Sequence, residues 1–147
     1  QEGTPYIMSR EYLFSTDNNE LMMQTQPPWG ALAAIDMRKG ELKWEVPLGI
    51  MLDVKKYPDA AKWGSINFGG AITTAGSLVF IAGAYDNIFR AFDTNTGQVV
   101  WQYELPAGGQ ATPMTYEWKG KQYVVIAAGG HGKMKSKLGD YVIAFAL

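Results

Sequence analysis

Apolar and polar residues alternate along this chain in short runs, and the longer period of an amphipathic helix is missing throughout. The middle is clearest. Residues 71–74 form one run, closed by Ala75-Gly76. Residues 78–82 form a second, rich in β-branched and aromatic side chains, and the turn formers Asp86-Asn87 follow. Residues 88–92 form a third, ended by Thr94-Asn95-Thr96-Gly97. Residues 99–104 form a fourth, alternating around Trp101 and Tyr103. Short runs separated by such turn chemistry predict antiparallel strands in a meander. The order then begins again with residues 111–118, the turn Lys119-Gly120, residues 123–128, a glycine-rich loop holding His131, and residues 141–147.

The pattern is also a repeat. Ala33-Ala34-Ile35-Asp36, followed by Gly40 and Trp44, returns 57 residues later as Arg90-Ala91-Phe92-Asp93, followed by Gly97 and Trp101. A shortened third copy is Val142-Ile143-Ala144-Phe145-Ala146-Leu147. Four strands in a meander, repeated at about 50 residues, are the sequence mark of propeller blades, whose two faces are covered by their neighbours. The expected fold is all-β: antiparallel four-stranded blades, about two to three of them, in one partial propeller domain spanning residues 1–147. Residues 1–29 read as an irregular lead-in, 30–48 as half a blade, 69–104 as a full blade and 110–147 as an incomplete last blade. Trp44 and Trp101 are expected to pack between sheets, and the repeated Asp to order its turn through backbone amides. The strand missing from the last blade has to come from elsewhere, and the lead-in, with Pro27-Pro28, is a poor source.

Composition narrows the function. Apolar residues make up 47% and aromatics 13%, enough for a packed core. A net charge of −1 offers no basic face for nucleic acid, and Lys133, Lys135 and Lys137 read as a solvated loop. With no cysteine, disulfides, thiolate metal sites and a cysteine nucleophile are excluded. No apolar run approaches the ~18 residues of a membrane helix, and no signal segment opens the chain. The start, Gln1-Glu2-Gly3-Thr4-Pro5, reads like the interior of a longer protein.

In a blade counted from the axis outward, the loop between strands 2 and 3 and the link to the next blade emerge at one end. The long segments, residues 49–67, 105–110 and 129–139, all fall there, and loops longer than a turn requires tend to carry function. Asp86 opens one 2–3 loop, and His131 sits in the equivalent loop of the next unit. A carboxylate beside an imidazole would fix its tautomer and raise its basicity. The plain alternatives are an ordinary Asp-Asn turn and a solvent-exposed histidine. Glycines on both sides of His131 point to close approach by another group. Both residues, lying in loops, are expected to tolerate truncation at a cost below ~1 kcal/mol.

At these residues the sequence resembles the membrane-bound pyrroloquinoline-quinone (PQQ) dependent glucose dehydrogenases and their quinate and polyol relatives. The resemblance lies in Pro27-Pro28-Trp29-Gly30, in Thr73 to Ile81, in the run Leu105-Pro106-Ala107-Gly108-Gly109-Gln110-Ala111-Thr112-Pro113-Met114-Thr115-Tyr116, and in Gly129-Gly130-His131-Gly132 with Lys137-Leu138-Gly139-Asp140-Tyr141. It implies the C-terminal part of an eight-bladed propeller holding PQQ and a calcium or magnesium ion. It further implies oxidation of a sugar or polyol hydroxyl, ubiquinone as electron acceptor, and the periplasmic side of the inner membrane. By the same resemblance Asp86 and His131 are catalytic, and Gly69, Gly70, Asn87, Gly109, Gln110 and Gly130 contact the cofactor. Metal ligands are expected mostly outside this chain. Phe68 departs from the soluble alcohol-oxidising relatives, which have Trp before the Gly-Gly pair. The competing reading is a propeller scaffold that binds proteins without a cofactor. An open propeller segment is also expected to self-associate through its free blade face and strand edge.

Overall fold

The computed structural model describes residues 2–3, 5, 14–17 and 20–146. Eleven strands are described, all paired antiparallel. β1 (Phe14–Asp17) and β2 (Glu20–Met23) form a hairpin, and β3 (Ala31–Asp36) and β4 (Glu41–Pro47) a second two-stranded sheet. β5 (Ala71–Thr73), β6 (Leu78–Ile81), β7 (Ile88–Asp93) and β8 (Val99–Glu104) form one four-stranded meander. β9 (Met114–Trp118), β10 (Lys121–Ala128) and β11 (Tyr141–Ala146) form a three-stranded one in which β11 is an edge. Among the described residues helical structure is limited to one turn at Ala60–Trp63 (α1) and a 3₁₀ turn at Gly132–Met134. This is the expected partial propeller.

The repeat is reproduced down to its irregularities. Pairing slips between Ala34 and Ile35 in the first half blade, and at the same repeat position, between Ala91 and Phe92, in the full blade. Asp36 Oδ1 accepts the Arg38 N–H, and Asp93 Oδ1 accepts the Asn95 N–H, both at 2.9 Å. Gly40 and Gly97 close the two turns with φ of 71° and 73°, a conformation that favours glycine. Lys119 and Gly120 both have positive φ and make the two-residue hairpin between β9 and β10.

Two details differ from the sequence reading. The lead-in contains regular structure, because Phe14 pairs with Met23 and Asp17 with Glu20. β9 begins at Met114 rather than at residue 111, since Pro113 has no N–H to give a ladder.

The middle sheet is covered on both faces, which is why β7 reads as an almost unbroken apolar run. One face contributes Phe80, Ala82, Phe89 and Ala91 to a cluster with Leu105, Ala107, Val124, Ile126 and Ala128. The other sends Ile81, Ala84 and Phe92 against Leu48, with Leu32 and Val46 packed alongside. Both repeat tryptophans lie between sheets, as expected. Trp44 Nε1 donates to Thr94 O at 3.0 Å, and a Cβ on Gly97 would come within 2.7 Å of its indole. Trp101 meets Phe145 of the next sheet edge-on at 5.1 Å but is 37% exposed. Beside it, between β8 and β11, lies an apolar cavity of about 490 Å³.

Candidate functional site at the loop end

The long segments gather at one end, and backbone bonds knit them together. The link after β8 touches both 2–3 loops: Leu105 N–H donates to Asn87 O at 2.9 Å, and Gly130 N–H to Gly108 O at 2.8 Å. Gly108 N–H in turn donates to Lys137 O at 2.9 Å. The Gln110 side chain reaches the Asp86 loop, its Nε2 donating to Ala84 O at 3.2 Å. The link after β4 joins through Ser65, fully buried, whose Oγ accepts the Tyr85 N–H at 3.1 Å. Asp86 and His131 therefore stand on the same end, in neighbouring sheets.

They do not partner each other. Asp86 forms a bidentate ion pair with Arg90, with Oδ1 to Nη1 at 3.0 Å, and both side chains are nearly buried. Its two oxygens also accept the N–H groups of Ile88 at 3.1 Å and Ile50 at 2.9 Å. The carboxylate's acceptor positions are thus taken by a strand arginine and by both flanking segments. The expected carboxylate–imidazole pair is corrected on this point, and the buried ion pair argues for a larger cost of truncating Asp86 than a free loop residue would show. A lone arginine inside the apolar strand Ile88–Asp93, four residues after an aspartate, was the sequence signal, because a buried guanidinium requires a counterion.

His131 is held by other means. Its backbone N–H donates to the buried Ser136 Oγ at 2.8 Å. The Met134 N–H is shared between His131 O at 3.1 Å and His131 Nδ1 at 3.4 Å. This contact favours a neutral ring with its proton on Nε2. Nε2 has no partner among the described residues. The ring stacks on Phe68, centroids 5.3 Å apart and planes 6° from parallel.

The glycines separate into two groups. A Cβ on Gly69 would lie 2.5 Å from Gly83 Cα, on Gly70 2.3 Å from Thr112 Oγ1, on Gly109 2.6 Å from a Leu105 methyl, and on Gly130 2.3 Å from Lys137 O. Their missing side chains are therefore accounted for by the protein's own packing. Around His131 the close approach expected from its glycines comes, at Gly130, from residues 137–138, whereas Gly132 faces open space.

Two buried oxygens at this end have no partner among the described residues: Asn87 Oδ1 and Gln110 Oε1. Asn87 sits at a φ of 57° in the Asp86 loop. An unmatched buried carbonyl oxygen is costly, and such an atom suits an N–H, an O–H or a hard cation. The two amides fit a bound group as part of its surroundings. No group of three or more His, Cys, Asp or Glu able to hold a metal occurs among the described residues, and Arg90 is committed to Asp86.

The family profile for the PQQ β-propeller domain of glucose, ethanol and alcohol dehydrogenases matches residues 1–124. The chain belongs to this quinoprotein propeller family. It is 48% identical over 126 residues to the quinoprotein glucose dehydrogenase of Escherichia coli K12, covering 83% of this chain and 16% of that protein. It is 44% identical over 151 residues to the glycerol dehydrogenase large subunit of Gluconobacter oxydans 621H, covering 99% of this chain and 20% of that one. Among solved structures it resembles the quinohemoprotein alcohol dehydrogenase of Comamonas testosteroni, with a TM-score of 0.61 and 25% identity over 85% of this chain and 17% of that one. The chain thus spans about one fifth or less of the relatives it matches.

Proposed function

We propose that this chain is one part of the propeller of a PQQ-dependent dehydrogenase that oxidises a hydroxyl of a sugar or polyol. Family membership supports the chemistry, and relatives named for glucose, glycerol and quinate at 40–48% identity support the substrate class. The observation that carries the reading is His131: a histidine anchored by its backbone at the loop end, with its ring stacked and its Nε2 without a partner among the described residues. When bound, PQQ supplies the electron acceptor for the oxidised C–OH. The chain's residues hold and orient. Nε2–H of His131 donates to an oxygen of the substrate. Asn87 Oδ1 and Gln110 Oε1 would accept a hydrogen bond from the cofactor or coordinate its cation, calcium or magnesium, while the remaining ligands lie outside this chain. Asp86 serves by fixing its loop through Arg90. The backbones at Gly69, Gly70, Gly109 and Gly130 let the segments around the cofactor close on one another. Ubiquinone as acceptor and a periplasmic location at the inner membrane complete the proposal. Among the described residues no helix is long and apolar enough to cross a membrane.

The test is reconstitution of the intact protein with PQQ and calcium, then magnesium, followed by a screen of aldoses, glycerol and quinate with a dye and with a ubiquinone analogue as acceptors. PQQ-dependent reduction with a sugar or polyol is expected. Failure to bind PQQ, or turnover of simple monoalcohols alone, would refute the proposal. The isolated chain, carrying few of the ligands, should bind PQQ with a Kd weaker than micromolar, about −8 kcal/mol. It should also self-associate through the free edge of β11 and the exposed Trp101 and Val142, which sedimentation velocity measures.

A further inference from the structure

Phe68 is an oddity of the loop end. It is a large apolar side chain left 63% exposed, yet its backbone is tied to the neighbouring loop. Its N–H donates to Gly83 O at 3.2 Å, and the next residue, Gly69, packs so closely on Gly83 that a Cβ would not fit. Asn67 Oδ1 accepts the Gly69 N–H at 2.8 Å and ties off the turn. Gly83 lies in the loop that the Asp86–Arg90 pair holds rigid. Phe68 is thereby anchored to one sheet, while its ring lies flat on the imidazole of His131 in the next.

From this geometry we infer that Phe68 is a positioning residue that sets the orientation of His131 and, through it, the binding of a sugar or polyol hydroxyl. An imidazole has two faces and two nitrogens to place. The Met134 N–H takes up Nδ1, but at 3.4 Å, and shared with a carbonyl, that contact alone holds the ring weakly. The parallel, offset Phe68 ring lies against one face of the imidazole and disfavours rotation about the Cβ–Cγ bond. Together they leave Nε2–H as the one donor free to meet a substrate oxygen. The exposed remainder of Phe68 adds an apolar surface beside that donor, suited to the C–H face of a polyol. A tryptophan or tyrosine can preserve the stack, whereas leucine fills space without a flat face.

The substrate half of this inference rests on the dehydrogenase reading, and the orientation half does not, so the two are tested separately. His131 is the single histidine of the sequence, so selective ¹⁵N labelling of the full chain reports it alone. The neutral ring is expected as the Nε2–H tautomer, with ring protons shifted upfield by Phe68. Phe68→Leu should remove that shift and mix the tautomers, and Phe68→Tyr should restore both. In the intact protein with PQQ and calcium, Phe68→Leu should raise KM for the sugar roughly three- to tenfold with kcat nearly unchanged, and Phe68→Tyr should recover it. An Nδ1–H tautomer, or a ring environment that Phe68→Leu leaves unchanged, overturns the positioning role. An altered tautomer with unaltered KM overturns the substrate role. A wild-type protein without sugar or polyol oxidation sinks the dehydrogenase reading and leaves the orientation of His131 to be judged by the spectra.

Discussion

Asp86 and His131 occupy the same place in two successive sheets, and the structure uses them in opposite ways. The Asp86 loop is short and closed. Its carboxylate takes two bonds from Arg90 and two from backbone amides, and it ties the link after β4 to the start of β7. The His131 loop is long. It carries a 3₁₀ turn and leaves the imidazole a nitrogen without a partner among the described residues. Repeat position fixes where a loop emerges. What the loop does there depends on whether the strand behind it supplies a counterion: β7 carries Arg90, and β11 carries no charge at all. One loop is closed on its neighbours, and the other leaves a ring nitrogen open.

Mutations can break this contrast, and the largest effect belongs to the closed loop. Arg90→Ala leaves the Asp86 charge nearly buried and alone, and should cost about 3–5 kcal/mol of stability in urea denaturation. Asp86→Ala should do the same from the other side, while the pair replaced together by apolar residues should recover much of the loss. If either single truncation cost less than 1 kcal/mol, the ion pair would not be what closes that loop. The repeat tryptophans give a second, smaller contrast. Trp44, hydrogen-bonded and seated over Gly97, should lose more on truncation than Trp101. For Trp101→Ala, with over a third of the side chain in solvent, about 2–3 kcal/mol is expected, below the 3–5 of a fully buried aromatic. Thermal melts of the two variants check the order.

His131→Ala sharpens the contrast from the open side. It should change stability by less than about 1 kcal/mol while raising KM in the PQQ-loaded protein. A large loss of kcat with KM unchanged would instead make His131 a proton-transfer group. The smallest effect is at Asp93. Bonds from the Thr96 and Asn95 amides hold its carboxyl below the usual carboxylate range. A lowered folded pKa contributes stability that is present above the unfolded value and lost as pH falls through the folded one. Acid titration of the melting temperature should therefore show a small decline over that window in the native chain, and the decline should be absent in Asp93→Asn.

Much of the fold could be read from residues alone. The spacing of Asp36, Gly40 and Trp44, returning at Asp93, Gly97 and Trp101, located two equivalent turns, because a tight turn imposes its chemistry within a few residues. The hairpin β1–β2 was not legible, since Phe14–Asp17 and Glu20–Met23 are too short to show a period. At the site, the sequence located Asp86 and His131 at one end but paired them wrongly. The partner of Asp86 lay four residues away in what reads as a buried strand.

The sequence by itself determined most of the strands, the turns between them and the end at which the long loops emerge, because these depend on period-two alternation and on local backbone chemistry. Only the tertiary structure decided partnership. It assigned Arg90 to Asp86, the Met134 amide and the Phe68 ring to His131, and Gly97 to Trp44. Two of these contacts, Phe68 with His131 and Gly97 with Trp44, join separate segments brought together when sheets pack face to face. The energy that selects among candidate partners is desolvation and close packing, and neither exists until the faces meet.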